Sequence, residues 1–394
     1  MKEGIDMQDY KQAARDFIDN EKQFHLGPIP TEQSNPLTRG LSGRIKKNTA
    51  DGVKMILDAD CRIPEVSANC FESEAFKKLV ADLKRCIDER RRFHFSSVGA
   101  SGRMALQLDS TWRLFWNDLV NKLPLRAKEW VEIAECSNSF MTGGDRACVR
   151  SVENFEDYQT FGAQQTVDSG ATPGDVLVVL AECSLSSSTI GSACKGADMG
   201  ISTYYLYCNP KEILCEHLER ARRVFSYDNI TFLPLFVGNM AVAGSTRMQV
   251  TTVELLVAGV ALELAAWAWL KENLNEEELA TVAQLEAYNL LVVANQLATC
   301  VLEIDIGCTT LILHAVERGG PILHLLTIVV AEGASCQPLA HHLFVAGVNI
   351  AQAVGLVHSD NYLHVVHLGC NLCLVLTQDC AIDTLIGVGH ADAV

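Results

Sequence analysis

The chain lacks three features that would place it in a large class of proteins at once. Its first residues, Met1-Lys2-Glu3-Gly4, carry no apolar segment of the kind found in secretory signals. No segment reaches about 18 consecutive apolar residues, which argues against a membrane span. Basic residues are also scarce, because 32 Lys and Arg stand against 48 Asp and Glu, for a net charge of −16. We therefore expect a cytoplasmic protein with neither a nucleic-acid nor a membrane partner.

Disulfides are not expected either, although the chain holds 15 cysteines. They are spread over 394 residues, and in a reducing compartment such residues are buried free thiols. The close pair Cys370 and Cys373 has a spacing used in zinc and redox sites, but no second pair accompanies it. The sequence therefore predicts no metal site, and nothing in it indicates a cofactor.

The pattern of apolar residues divides the chain into three parts. Residues 1–91 form a polar arm followed by helices, one of which carries an apolar stripe through Phe76, Leu79, Leu83 and Ile87. Residues 271–394 form an atypical region, partly helical, in which Arg318 is the only Lys or Arg after Lys271 while eight of the eleven histidines lie there. A soluble surface normally mixes both charges, so no function is assigned to this region.

Between these parts, residues 92–270 alternate strand-like runs with helical stretches. This alternation is typical of an α/β fold with a doubly wound parallel sheet. The unbroken apolar run Val176–Ala181 predicts its central strand, because only a sheet covered on both faces hides such a segment. The other predicted strands are 92–96, 130–134, 202–207 and 231–236, and residues 240–300 are predicted to be helical.

Two loops at predicted strand ends are candidates for an anion site. The first is Ser97-Val98-Gly99-Ala100-Ser101-Gly102-Arg103, between a short strand and a helical pattern. The second follows the central strand and carries five hydroxyls in the six residues from Ser184 to Thr189. Hydroxyls and free backbone N–H groups at the start of a helix suit phosphate oxygens, and ligands of open α/β sheets lie beyond the carboxyl ends of strands. A tight glycine turn and a serine N-cap are the purely structural alternatives.

Six short motifs fall in an order that resembles one family. They are Thr31-Glu32-Gln33-Ser34-Asn35-Pro36, Gly99-Ala100-Ser101-Gly102-Arg103, Thr142-Gly143-Gly144-Asp145-Arg146-Ala147, Val152-Glu153-Asn154-Phe155-Glu156-Asp157, Cys208-Asn209-Pro210 and Gly244-Ser245-Thr246-Arg247-Met248. Their order is similar to that in the sugar isomerase (SIS) domain of N-acetylmuramic acid 6-phosphate etherases and of glucokinase regulatory proteins. The resemblance covers about residues 28–270. It implies a five-stranded SIS-type sheet, a phosphorylated sugar as ligand and frequent homodimerisation, with a sugar kinase as a possible protein partner.

The resemblance also implies roles for individual residues. Glu156 falls on a carboxylate that serves catalysis in the etherases. The residues assigned to the sugar phosphate are Gly99, Ser101, Gly102, Arg103, Ser184, Ser186, Ser187, Ser188, Ser245 and Arg247. Arg103 and Arg247 match arginines of the family, and pairing with a nearby acid is the alternative role for each.

Departures from the family pattern set the expected function. The etherases carry a second carboxylate where this chain has Thr111, and the lysine after the Ser-Thr-Arg-Met motif is Gln249 here. Eliminating lactate requires a base and an acid, and a threonine hydroxyl supplies neither. The sequence therefore favours a sugar-phosphate sensor that releases little or no lactate. The alternatives are an etherase-like carbon–oxygen lyase or sugar-phosphate isomerase, and a degenerate SIS protein with weak binding.

Overall fold

The computed structural model describes residues 9–150, 153–184, 186–283, 364–368 and 371–375. Its centre is a five-stranded, all-parallel sheet in the order β2-β1-β3-β4-β5. The strands are β1 (Phe93–Ser97), β2 (Ser137–Met141), β3 (Val176–Leu180), β4 (Ser202–Tyr207) and β5 (Ile230–Pro234). The predicted α/β class with a doubly wound parallel sheet is confirmed, and so is the central place of the Val176 strand.

Helices cover both faces of the sheet. They are α1 (Asp9–Asn20), α2 (Leu41–Lys47), α3 (Thr49–Asp58), α4 (Ile63–Glu72), α5 (Glu74–Glu89), α6 (Gly99–Lys122), α7 (Ala127–Ala134), α8 (Arg146–Val149), α9 (Gln159–Asp168), α10 (Ser187–Asp198), α11 (Lys211–His217), α12 (Glu219–Val224), α13 (Gln249–Asn273) and α14 (Glu276–Ala283). Short 3-10 turns, among them Glu153–Asp157, connect some of them.

The position of strand β3 in the sheet explains why its sequence is apolar without interruption. Val176, Val178 and Leu180 belong to the core on one face of the sheet, together with α5, α6 and α13. Leu177 and Val179 belong to the core on the other face, under α10 and α12. Successive side chains of a strand point to opposite faces, so a strand covered twice requires apolar residues at every position.

The apolar stripe predicted from residue 76 onward lies on helix α5 and is buried. Phe76, Leu79, Leu83 and Ile87 are each at most 2% exposed and belong to the same core as β3. Ser73 caps this helix, since its Oγ accepts a hydrogen bond from the Phe76 N–H at 3.2 Å. Helix α5 therefore packs directly on the sheet.

One predicted strand is wrong. Residues 130–134 lie in helix α7, and the second strand is Ser137–Met141 instead. Trp130, Ile133 and Ala134 are buried while Val131 is 48% exposed, which is the i, i+3, i+4 spacing of a helix face. The true strand is an edge strand with the polar sequence Ser-Asn-Ser-Phe-Met, which carries no long apolar run to reveal it.

Helix α13 is the one described helix whose length and composition would suit a membrane span, but 83% of its apolar window is buried inside the protein. It packs on α4, α5 and α6 and is therefore a core helix. The helical prediction for residues 240–300 is confirmed for α13 and α14. It is wrong for residues 240–248, which form a loop before α13, and residues 284–300 lie outside the described residues.

The two described segments near the C-terminus, β6 (His364–Leu368) and β7 (Asn371–Val375), pair as antiparallel strands. Cys370 lies outside the described residues. The same holds for every other residue from 284 onward that does not belong to β6 or β7. In the described part of the chain the cysteines with described side chains, from Cys61 to Cys215, are free thiols.

Helices α9 and α10 approach so closely that each requires a glycine at the contact. A Cβ added to Gly191 would lie 1.9 Å from the carbonyl oxygen of Gln159, and one added to Gly162 would lie 1.7 Å from that of Ser188. The backbone of α10, which carries the second predicted loop, is positioned by this contact.

We expect Gly191→Ala to lower the free energy of unfolding by about 1–3 kcal/mol or more, because the new methyl group forces the two helices apart. Urea unfolding measures the change. Gly43→Ala in helix α2 is the matched control, since Gly43 has no atom within 4 Å of the added Cβ and gains helix propensity. Equal stability of Gly191→Ala and the wild type would contradict the close contact.

Candidate functional site

The two predicted loops lie at the same edge of the sheet. Strand β1 ends at Ser97 and α6 begins at Gly99, while β3 ends at Leu180 and α10 begins at Ser187. Since β1 and β3 are paired and parallel, both loops leave the sheet at the carboxyl ends of neighbouring strands. This is the edge at which open α/β sheets bind ligands.

The first loop is packed tightly at its start. Ser101 is 6% exposed, and Gly102 contacts Met141 so closely that an added Cβ would lie 2.7 Å from the Met141 Cβ. Arg103 is half-buried, and its Nη1 donates to the carbonyl oxygen of Gly99 at 3.5 Å. In the described structure this guanidinium therefore meets a backbone oxygen of its own loop.

The second loop contains one buried hydroxyl in an unusual place. Ser184 has φ +60°, a left-handed conformation that residues with a Cβ rarely adopt, and it is 1% exposed. Its Oγ has no hydrogen-bond partner among the described residues. Ser186 precedes α10, Ser187 is half-buried in its first turn, and the buried Ser188 accepts a hydrogen bond from Thr142 Oγ1 at 2.9 Å.

Ser101 does not bond to the serines of the second loop. Its Oγ lies 2.6 Å from Oε2 of Glu182, the second residue after β3. The other carboxyl oxygen of Glu182, Oε1, is hydrogen-bonded to Thr251 Oγ1 of helix α13. Glu182 is 2% exposed, and it links the first loop, the end of β3 and the start of α13.

A second carboxyl group, that of Glu254, is buried beside Glu182. Glu254 is fully buried, its Oε1 accepts a hydrogen bond from the Cys208 thiol at 3.5 Å, and its Oε2 has no partner among the described residues. Burial raises the pKa of Glu182, and burial together with the neighbouring Glu182 raises the pKa of Glu254 well above its usual range. Burial also raises the pKa of the Cys208 thiol. Glu182, Glu254 and Cys208 form the floor of the site, and their burial favours the neutral form of each group.

The motif that contains Ser245 and Arg247 forms the side of the site nearest the N-terminal arm. Arg247 is exposed, and its charge is close enough to lower the pKa of Glu182 slightly against the larger effect of burial. The Ser245 N–H donates to the carbonyl oxygen of Val242, and the Gly244 N–H donates to that of Thr31. The arm and this loop are thus joined through their backbones.

Asn209 fixes the arm to the second loop. Its Nδ2 donates to Thr31 Oγ1 at 3.0 Å and to the Cys183 carbonyl oxygen at 2.7 Å, and its Oδ1 accepts from the Thr31 N–H. Gln249, which replaces the lysine of the family pattern, is buried and bonded to the backbone of Ala59 and Ala241. Both residues hold backbone segments in place.

Glu156 and the position of the missing carboxylate, Thr111, differ in their surroundings. Glu156 is half-buried in the 3-10 turn Glu153–Asp157, which packs against α10. Thr111 is half-buried on α6, and the neighbouring Asp109 accepts hydrogen bonds from Arg113 Nε at 3.0 Å and Ser139 Oγ at 3.1 Å. In this arrangement the Asp109 carboxylate is held by Arg113 of its own helix and by Ser139 of β2.

Sequence reasoning missed Glu182 and Glu254. The signal for Glu182 was an acid directly after a fully apolar strand, where a charge has little room to be solvated. The signal for Glu254 was an acid inside the apolar run from Val250 to Leu270. Within the described residues no three His, Cys, Asp or Glu side chains are grouped as metal ligands.

Comparison with known proteins places the chain near one kind of enzyme. No family model matches the chain. It is 20% identical over 250 residues to N-acetylmuramic acid 6-phosphate etherase 1 of Bacillus licheniformis, covering 59% of this chain and 67% of that enzyme. It is 25% identical over 234 residues to N-acetylmuramic acid 6-phosphate etherase of Pseudothermotoga lettingae, covering 59% and 68%.

The enzyme of the same name from Serratia proteamaculans is 23% identical over 284 residues, covering 66% of this chain and 79% of the relative. These relatives support the etherase part of the predicted resemblance and do not support the part that named the glucokinase regulatory proteins. The chain is therefore similar, at low identity and over about 60% of its length, to N-acetylmuramic acid 6-phosphate etherases.

Proposed function

We propose that this protein binds a phosphorylated amino sugar at the carboxyl edge of its sheet and cleaves a carbon–oxygen bond in it, as an etherase-like lyase. The similarity to N-acetylmuramic acid 6-phosphate etherases over about 60% of the chain carries this proposal. It favours the lyase over the sensor that the missing carboxylate at Thr111 first suggested. A kinase partner was expected only for a sensor, so the proposal includes none.

The second loop supports the phosphate part of the proposal. Helix α10 has twelve residues, and its N-terminus follows Ser184, whose buried Oγ has no partner among the described residues. Free N–H groups and the helix dipole at such a terminus favour an anion. We assign the phosphate group to Ser184 and to the turn Ser186–Ser188.

The chemistry of elimination assigns a role to Glu156. A base removes the proton next to a carbonyl carbon, the ether C–O bond breaks, and an acid gives a proton to the departing lactate oxygen. Glu156 is the one family carboxylate that this chain retains, so we assign it one of these two proton transfers. Homodimerisation, which would let a second subunit complete the site, stays a prediction of the resemblance.

We expect the purified protein to bind N-acetylmuramic acid 6-phosphate and to release D-lactate from it. A ligand present at about a hundred times its Kd stabilises the folded protein by about 2.7 kcal/mol, so a thermal-shift series with phosphorylated and unphosphorylated sugars measures binding. A coupled lactate assay measures turnover.

The two readouts separate the candidate functions. Stabilisation without lactate release would favour the sensor, which the residue at Thr111 supports. If ligand stabilises the protein without lactate release, chromatography of the products shows whether the sugar phosphate is isomerised, which would indicate an isomerase. The absence of any stabilisation would contradict sugar-phosphate binding and with it the lyase, the sensor and the isomerase.

A further inference from the structure

The hydrogen bonds around Glu182 require more protons than the neighbouring hydroxyl groups carry. Ser101 Oγ lies 2.6 Å from Glu182 Oε2, and Thr251 Oγ1 contacts both Glu182 Oε1 and, at 2.5 Å, the carbonyl oxygen of Thr246. Each such oxygen–oxygen contact needs one proton between its atoms. Ser101 and Thr251 carry one hydroxyl proton each, and a carbonyl oxygen carries none. The Thr246 hydroxyl, which also hydrogen-bonds to Glu182, adds one contact and the proton for it, so the count stays one proton short.

We propose that the third proton resides on Oε1 of Glu182, which is therefore a neutral carboxylic acid whose other oxygen, Oε2, accepts the Ser101 hydroxyl proton. In this arrangement Glu182 Oε1–H donates to Thr251 Oγ1, and Thr251 donates to the Thr246 carbonyl oxygen. Ser101 then donates to Glu182 Oε2. All three contacts are satisfied, and Ser101 presents only accepting lone pairs to a ligand.

The groups that face Glu182 agree with a neutral acid. Helix α13 contributes Glu254, a second buried carboxyl group, and β4 is followed by the Cys208 thiol, whose pKa is raised by burial. The loop before α13 contributes Arg247, a cation that acts on Glu182 and is exposed to solvent. Burial is the largest influence on Glu182 and raises its pKa.

The direction of the Ser101 hydroxyl determines what Ser101 recognises, if the proposed sugar-phosphate function is correct. A phosphate dianion offers only acceptors, so it finds no proton at Ser101. A hydroxyl or amide N–H of the sugar offers the donor that Ser101 lacks. We therefore place the sugar ring at Ser101 and the phosphate at the second loop, rather than the phosphate at both loops as the resemblance implies.

The neutral acid is tested without any ligand. Glu182→Gln keeps an acceptor oxygen and replaces the acid O–H by an NH₂ group that donates, so it copies the neutral acid with one additional N–H and does not titrate. A carboxyl group whose pKa is raised by folding stabilises the protein fully below its unfolded value, near 4.5, and loses that stabilisation as the pH rises toward the folded value. We expect the unfolding constant of the wild type, divided by that of Glu182→Gln, to rise up to about tenfold per pH unit above the unfolded value.

Urea unfolding at pH of about 5.5, 6.5 and 7.5 measures this ratio. A ratio that is constant or falls with pH would overturn the neutral state. If Glu182→Gln does not fold, infrared spectroscopy of the Asp60→Asn, Glu254→Gln double variant at neutral pH decides the matter. Burial raises the pKa of Asp60 to about 7, so the double variant removes both Asp60 and Glu254 as other sources of the carbonyl band of a protonated carboxylic acid. The band should persist in this variant, and its absence would overturn the proposal.

The direction of Ser101 is tested with N-acetylglucosamine 6-phosphate. We expect Ser101→Ala to weaken binding by about three- to tenfold, as for one neutral hydrogen bond, and by the same factor at pH of about 5.5 and 8. A phosphate partner gains its second proton near pH 6, so the loss would then change between these two values. If no phosphorylated sugar binds the wild type, the proposed function fails while the stability measurement still decides the state of Glu182.

Discussion

Replacing Trp116 with alanine is expected to lower the free energy of unfolding by about 3–5 kcal/mol, the usual cost of removing a large aromatic side chain from a core. Trp116 on α6 is fully buried. Its ring stacks on Trp130 of α7 with centroids 5.7 Å apart and meets Trp269 of α13 edge-on at 6.0 Å. Three helices that cover one face of the sheet therefore contact each other through one side chain.

The loss would be a large part of the total stability, since folded domains are stable by only about 5–15 kcal/mol. Chemical denaturation followed by circular dichroism measures it. Trp116→Phe is a graded variant, because it keeps a ring and removes an indole N–H that has no partner among the described residues. Leu114→Ala on the same helix is the surface control, since Leu114 is 63% exposed and should change stability by no more than about 0.5 kcal/mol. Equal losses at Trp116 and Leu114 would contradict this description of the core.

The fold could be predicted where the apolar pattern of a segment shows which of its faces are buried. Strand β3 is apolar at every position because both of its faces are covered, and the stripe on α5 repeats at helical spacing because one side packs on the sheet. Strand β2 was not predictable in this way. It lies at the edge of the sheet, so its polar residues carry no strand signal, while the amphipathic α7 before it contains enough apolar residues to resemble a strand.

The edge of the sheet at which the site lies could be predicted, but the contacts within the site could not. Parallel strands bring the ends of β1 and β3 together, so the loops of Ser101 and Ser184 could be placed side by side from the order of the elements. The hydrogen bonds of Glu182 could not be predicted, because its partners Ser101 and Thr251 lie 81 and 69 residues away from it in the chain. The state of a buried carboxyl group depends on such distant neighbours, and local patterns do not contain them.

Replacing Glu156 with glutamine is expected to reduce the rate of lactate release from N-acetylmuramic acid 6-phosphate by about 10²–10⁴-fold, the usual contribution of a positioned acid or base. The amide has nearly the same shape as the carboxyl group but neither accepts nor gives a proton at a useful rate. Affinity for the substrate should change little, because the proposal assigns the phosphate to the second loop and the sugar ring to Ser101. The expected signature is therefore a fall in kcat at a nearly constant KM, measured with the coupled lactate assay.

Asp157→Asn is the matched control for this effect. Asp157 is the next residue of the same 3-10 turn and is exposed, so its replacement removes a negative charge from the turn without touching the proposed proton transfer. If both variants lose activity equally, the turn contributes charge and Glu156 has no special role. If neither variant loses activity while the wild type releases lactate, the proton transfer belongs to other groups. The buried pair Glu182 and Glu254 would then be the next carboxyl groups to test, because burial raises the pKa of both and so favours the protonated form that can give a proton to a departing oxygen.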